Sequence, residues 1–71
     1  MKLSKQFLFF TYLLESYAQY KGTTADAVLK ELDRKNLTDY VYKMYELYHT
    51  EAITNAFLDL DSLIATGNPA Y

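Results

Sequence analysis

Cysteine is absent from this chain of 71 residues, which excludes disulfide staples and thiolate metal ligands. Proline occurs once and glycine twice, at Gly22 and Gly67, outside the periodic segments or at their ends. That distribution favours an all-helical chain, and two isolated glycines cannot form a glycine-rich phosphate cradle. Charge of one sign is not in surplus: seven Lys plus Arg stand against nine Asp plus Glu, a formal net of −2. A protein that tracks nucleic-acid phosphates needs a basic face, and a disordered solvating segment needs a far larger imbalance. Long hydrophobic runs are missing too. The stretch from Phe7 to Leu14 covers eight residues and contains Thr11 and Tyr12, whereas a membrane-crossing helix needs about 20.

The N-terminal segment has the outline of a secretory signal, with Lys2 and Lys5 as a basic region and Ser16 and Ala18 as small residues before a cleavage point. Against this stand the interruption at Thr11 and Tyr12, Glu15 beside the cleavage region, and Tyr17 between the two small residues. Cleavage would leave roughly 53 residues to build a core without cysteines, which is difficult at that size. A structural helix in a cytoplasmic protein is the expectation.

What the chain does have is aromatic side chains, 17% of its residues. They are densest in YVYKMYELYHT, Tyr40 to Thr50, which holds four tyrosines and the one histidine. Tyr40, Met44 and Leu47 recur at helical spacing, as do Val41, Tyr45 and Tyr48. A helix here carries two adjoining apolar stripes, with Asp39, Lys43 and Glu46 on its remaining face. Tyrosine suits a half-wet contact surface, because its ring buries well and its hydroxyl seeks a polar partner or water.

The whole chain, 1–71, reads as one all-α domain, a compact three- to four-helix bundle. Four helices are expected at about 4–20, 24–35, 39–49 and 51–66, with a frayed tail over 67–71. In the first, Leu3, Phe7, Phe10, Leu14 and Tyr17 form a seam, widened by Phe9, Leu13 and Tyr20. Gly22 supplies a left-handed cap. Thr23 or Thr24 caps the second helix, Asp26 lies near its positive end, and Asn36 stops it. Thr38 caps the third, with Leu37 packing on Tyr42 as a staple. Thr50 caps the fourth, whose stripe is Ile53, Phe57, Leu60 and Ile64, flanked by Ala56 and Leu63; Gly67 closes it. The expected core is Phe7, Phe10, Leu14, Leu29, Leu32, Val41, Met44, Tyr45, Ile53, Phe57 and Leu60, drawn mostly from the first, third and fourth helices.

Chemistry has little to rest on. His49 has no cysteine to partner it, and Ser4, Ser16 and Ser62 stand in no nucleophile motif. Glu46, three residues earlier, can reach His49 on one helical face, but a histidine at a helix C-terminus already benefits from the dipole. Asp59 and Asp61, two apart, point about 200° from each other on a helix, so they cannot chelate one metal; they read as solvated acids. No catalytic, cofactor or metal residue is assigned, and the chain is expected not to be an enzyme.

The remaining signal is a surplus of apolar side chains. Leu8 and Tyr12 fall off the seam of the first helix and Tyr42 off that of the third, so these, with Tyr48 at the edge, are the candidate partner-binding residues. The expected function is contact with a protein partner or self-association, with no nucleic acid, membrane or small-molecule substrate. The alternative is a small helix-turn-helix DNA-binding protein, since the second and third helices are joined by a short turn. A reading helix would present Arg, Lys, Asn or Gln; this one offers Asp39, Lys43, Glu46 and tyrosines.

Tyr20-Lys21, Asp39-Tyr40, Tyr45 to His49 followed by Thr50, and Asp59-Leu60-Asp61 with Ile64 together resemble the pattern of a bacterial all-helical family known only as a domain of unknown function. The resemblance runs from about Phe7 to Ile64. It departs at Tyr48, where a leucine is expected, and in a shorter junction after Thr50. The family implies no reaction. Its genes often lie near mobile elements and beside proteins resembling ADP-ribosyltransferases, which implies an antitoxin or accessory subunit.

Overall fold

The computed structural model describes residues 4–70; Leu3, expected in the first seam, lies outside them. The first helix, α1 (Lys5–Lys21), starts where Ser4 Oγ accepts the Phe7 N–H at 3.0 Å. It stops at Gly22, whose φ of 73° is left-handed. Thr23 N–H then reaches back to Ala18 O and Gly22 N–H to Gln19 O, satisfying carbonyls that the helix end leaves open. α2 (Ala25–Arg34) is capped by Thr24, whose Oγ1 accepts from Ala27 N–H at 3.2 Å. Its end repeats the device of α1, with Asn36 at φ 59° and Leu37 N–H bonded to Leu32 O.

The tyrosine-rich segment is two short helices, not the single one expected: α3 (Thr38–Lys43) and α4 (Tyr45–Tyr48), divided at Met44. At the break the Met44 N–H bonds to Val41 O, a tighter turn than the α-helix. The carbonyl of Tyr42 accepts from Gln6 Nε2 of α1 at 3.1 Å. A long-range partner thus takes over a carbonyl that a continuous helix would satisfy internally. Thr38 is the first residue of α3 and not its cap; its hydroxyl donates to the Asp33 carboxyl group.

α5 (Ile53–Thr66) begins two residues later than expected, with Ala52 at its cap position. Thr50 belongs to the preceding turn, its hydroxyl donating to Leu47 O at 2.8 Å. Gly67, at φ 81°, ends the helix. The segment after it folds back: Ser62 Oγ donates to Asn68 O at 2.7 Å, and Ala70 N–H to Asp59 Oδ1 at 2.7 Å.

The fold is all-α, with no strand among the described residues. Its Cα radius of gyration is 11.3 Å, against about 11 Å for a compact chain of this length. The core draws Phe10, Leu13, Leu14, Tyr17 and Ala18 from α1, Val28 and Leu32 from α2, and Val41 and Tyr48 from the tyrosine segment. From α5 come Ala56, Phe57, Leu60 and Leu63. Each fully buried leucine among these stabilises by about 1.5–3 kcal/mol. Of the expected core, Leu29, Met44, Tyr45 and Ile53 are half-buried, and Phe7 is 41% exposed. Phe7 borders an open furrow between α1 and α2, and Tyr20, which stacks on Phe57 of α5, keeps 61% of its surface exposed.

Candidate functional site

Leu8 and Tyr12 lie one turn apart on the outer face of α1, 50% and 58% exposed. Burial of Phe10, Leu13, Leu14 and Tyr17 on the opposite side fixes that orientation. A line of ring contacts leaves Tyr12 and crosses to α4. Phe9 meets Tyr12 at 6.4 Å between centroids and Tyr45 edge-on at 5.6 Å, and Tyr45 stacks on His49 at 4.2 Å. Such ring pairs contribute about 0.5–1.5 kcal/mol each beyond area burial.

His49 Nδ1 donates to Tyr45 O at 2.5 Å. Its expected neighbour Glu46 is exposed, and the backbone carbonyl has taken that place. The other two candidate residues sit inside this surface. Tyr42 is half-buried, with its ring edge-on to Phe10 at 5.3 Å. Tyr48, placed by its sequence pattern at the edge of the contact face, is 4% exposed and belongs to the core. Its stripe-mate Val41 is buried as well, while Tyr45 is half-buried.

The two aspartates read as solvated acids instead anchor two core tyrosines. Tyr48 donates its hydroxyl to Asp59 Oδ2 at 2.5 Å, and Asp59 is 3% exposed. Tyr17 donates to Asp61 Oδ1 at 2.5 Å, and Lys21 Nζ reaches the same oxygen at 3.2 Å. Burial first, and the Asp61 hydrogen bond second, push the Tyr17 phenol far above its ordinary range. The wide angle between the two carboxyl groups is what lets each serve a different tyrosine. The signal for Asp59 was in the sequence: it lies three residues after Ala56 and four before Leu63, on the inner stripe.

Three shallow concavities among the described residues bear on this surface. One of about 250 Å³ runs between α1 and α2. A second of about 190 Å³ lies beside Tyr17, Val28 and Ile64. The third, polar and about 300 Å³, lies at the α2–α3 turn between Asp33 and Asp39. Among the described residues no group of His, Asp and Glu is arranged to hold a metal ion, and no helix is long and apolar enough to cross a membrane.

Residues 8–66 match the family model described as Protein of unknown function (DUF3791). The chain belongs to this family. The DUF3791 match takes in Leu8, Tyr12 and the ring line, and extends from the first turn of α1 to the end of α5. No curated protein and no solved structure matches the chain. Within the family segment Lys21 pairs with Asp61, Tyr20 stacks on Phe57 at 5.1 Å, and Tyr45 stacks on His49.

Proposed function

We propose that this DUF3791 chain is a non-enzymatic helical module that acts by protein–protein contact inside the cell. Its contact face is Leu8 and Tyr12 of α1, continued by Phe9, Tyr45 and His49. The observation that carries this reading is the exposure of Leu8 and Tyr12 on adjacent turns, joined to further rings in one uninterrupted line. Large apolar side chains contiguous on a surface mark contact sites, and aromatic anchors dominate binding once they are enclosed. The family resemblance to bacterial proteins encoded beside ADP-ribosyltransferase-like neighbours suggests an antitoxin or accessory subunit, with a protein partner or a second copy as the target.

The helix-turn-helix alternative draws support from the three-residue connection between α2 and α3. Against it weigh the six-residue length of α3, the Asp39–Lys43 pair at 2.9 Å on its polar face, and the acidic turn formed with Asp33.

The deciding experiment replaces Leu8 and Tyr12 together by serine. Sedimentation and pull-down from the native host should show self-association or partner capture weakened at least tenfold, about 1.4 kcal/mol, with the thermal melt nearly unchanged. A variant that folds and binds as before would remove this face from consideration.

A further inference from the structure

Phe7 belongs to the seam of α1 yet stands 41% exposed, because it forms one end of an unfilled furrow between α1 and α2. The floor is apolar, made by Phe10, Leu14 and Leu29. The rim is acidic, with Glu15 on the α1 wall and Asp26 on the α2 wall, both exposed. Among the described residues no Lys, Arg or His lines the furrow. Lys30 pairs with Asp26 at 3.0 Å, but both side chains are more than 70% exposed, and exposed pairs of this kind exchange readily for another cation. Glu15 makes no ion pair among the described residues.

Resting on the contact reading above, we infer that this furrow receives a basic amphipathic helix of a partner protein. Two features select that occupant. The volume of about 250 Å³ falls short of the roughly 300–1,000 Å³ of small-molecule pockets, which suits inserted side chains better than a free ligand. From Phe7 to Glu15 the furrow covers two turns, about 12 Å, enough for two apolar anchors at i and i+3 or i+4 of a docked helix. The acidic rim then selects the flanks: Lys or Arg one turn from each anchor meets Glu15 or Asp26, whereas an acidic partner is repelled at both walls. Anionic membrane headgroups are disfavoured for the same reason.

The test uses the full chain and a labelled helical peptide with leucines at i, i+3 and i+7 flanked by lysines, alongside the same peptide with glutamates for the lysines. Fluorescence anisotropy should show the lysine peptide bound at least tenfold more tightly. The Glu15→Lys/Asp26→Lys variant should invert that order. Ala25→Leu, which fills the furrow, should weaken the lysine peptide at least tenfold; if that variant fails to fold by circular dichroism, the charge reversal decides alone. No saturable binding, equal binding of both peptides, or a preference unmoved by charge reversal would overturn the assignment. So would a dimer of the chain itself that Ala25→Leu converts to monomer, because the occupant would then be a second copy. Partner capture that still depends on Leu8 and Tyr12 while the furrow fails these tests overturns the furrow alone and leaves the contact reading standing.

Discussion

Tyr48 and Tyr17 are core residues with one polar atom each, and each atom is matched by an aspartate of α5. A buried hydroxyl without a partner costs about 1–3 kcal/mol, so the pairing is what permits two phenols in so small a core. Tyr48→Phe keeps the ring but leaves Asp59 with one fewer donor. Urea denaturation should register a loss of about 1–3 kcal/mol, against almost none for the exposed control Tyr12→Phe. Tyr17 makes a pH prediction. Its folded-state phenol stays protonated well above the ordinary value of 10.0, while in the unfolded chain it ionises near that value. The folded state therefore binds the extra proton, and stability falls as pH rises above about 10. In Tyr17→Phe that alkaline decline should be smaller, and so should the rise in phenolate absorbance when the chain unfolds above pH 10.

At the scale of elements, the informative feature is the interruption at Met44. Residues 39–49 carry continuous helical periodicity, but tyrosine is a middling helix former, so local preference does not hold the segment straight. Gln6 Nε2 occupies the Tyr42 carbonyl and stabilises the break from outside it. Gln6→Ala removes that donor and should cost about 1 kcal/mol in urea denaturation. If stability is unchanged, the interruption is held by packing of Val41 and Tyr48 alone. Helix ends behave oppositely: Ser4, Thr24, Gly22, Asn36 and Gly67 all perform the local roles that their residue types suggest. Capping depends on only a few neighbouring residues, which is why it can be read from them. Thr38 and Thr50 are the exceptions, each drawn to another acceptor, the Asp33 carboxyl group and Leu47 O.

For the whole molecule, the core is assembled from every helix, yet it leaves Leu8 and Tyr12 outside. Serine at both positions therefore removes little buried area, and folding should survive while association fails. Had the same change been made at Tyr42, the edge-on contact with Phe10 would be lost and stability with it. The formal charge of −2 adds a global bias: association with a basic partner is assisted at low salt and weakened as salt rises.

Sequence alone determined that the chain is helical, roughly where its helices lie, how most of them end, and which side chains share a face. These properties follow from periodicity and from caps spanning a few residues. Tertiary structure decided which of two adjoining stripes would be covered. Leu13 became fully buried, whereas Phe7, at one end of the open furrow between α1 and α2, stayed exposed. Tyr48 went inward because an aspartate eleven residues away meets its hydroxyl. Asp59 was buried against Tyr48, and Asp61, still half-exposed, took the hydroxyl of the core residue Tyr17. Periodicity places side chains around a helix axis, but burial depends on the length and approach of the helices packed against it.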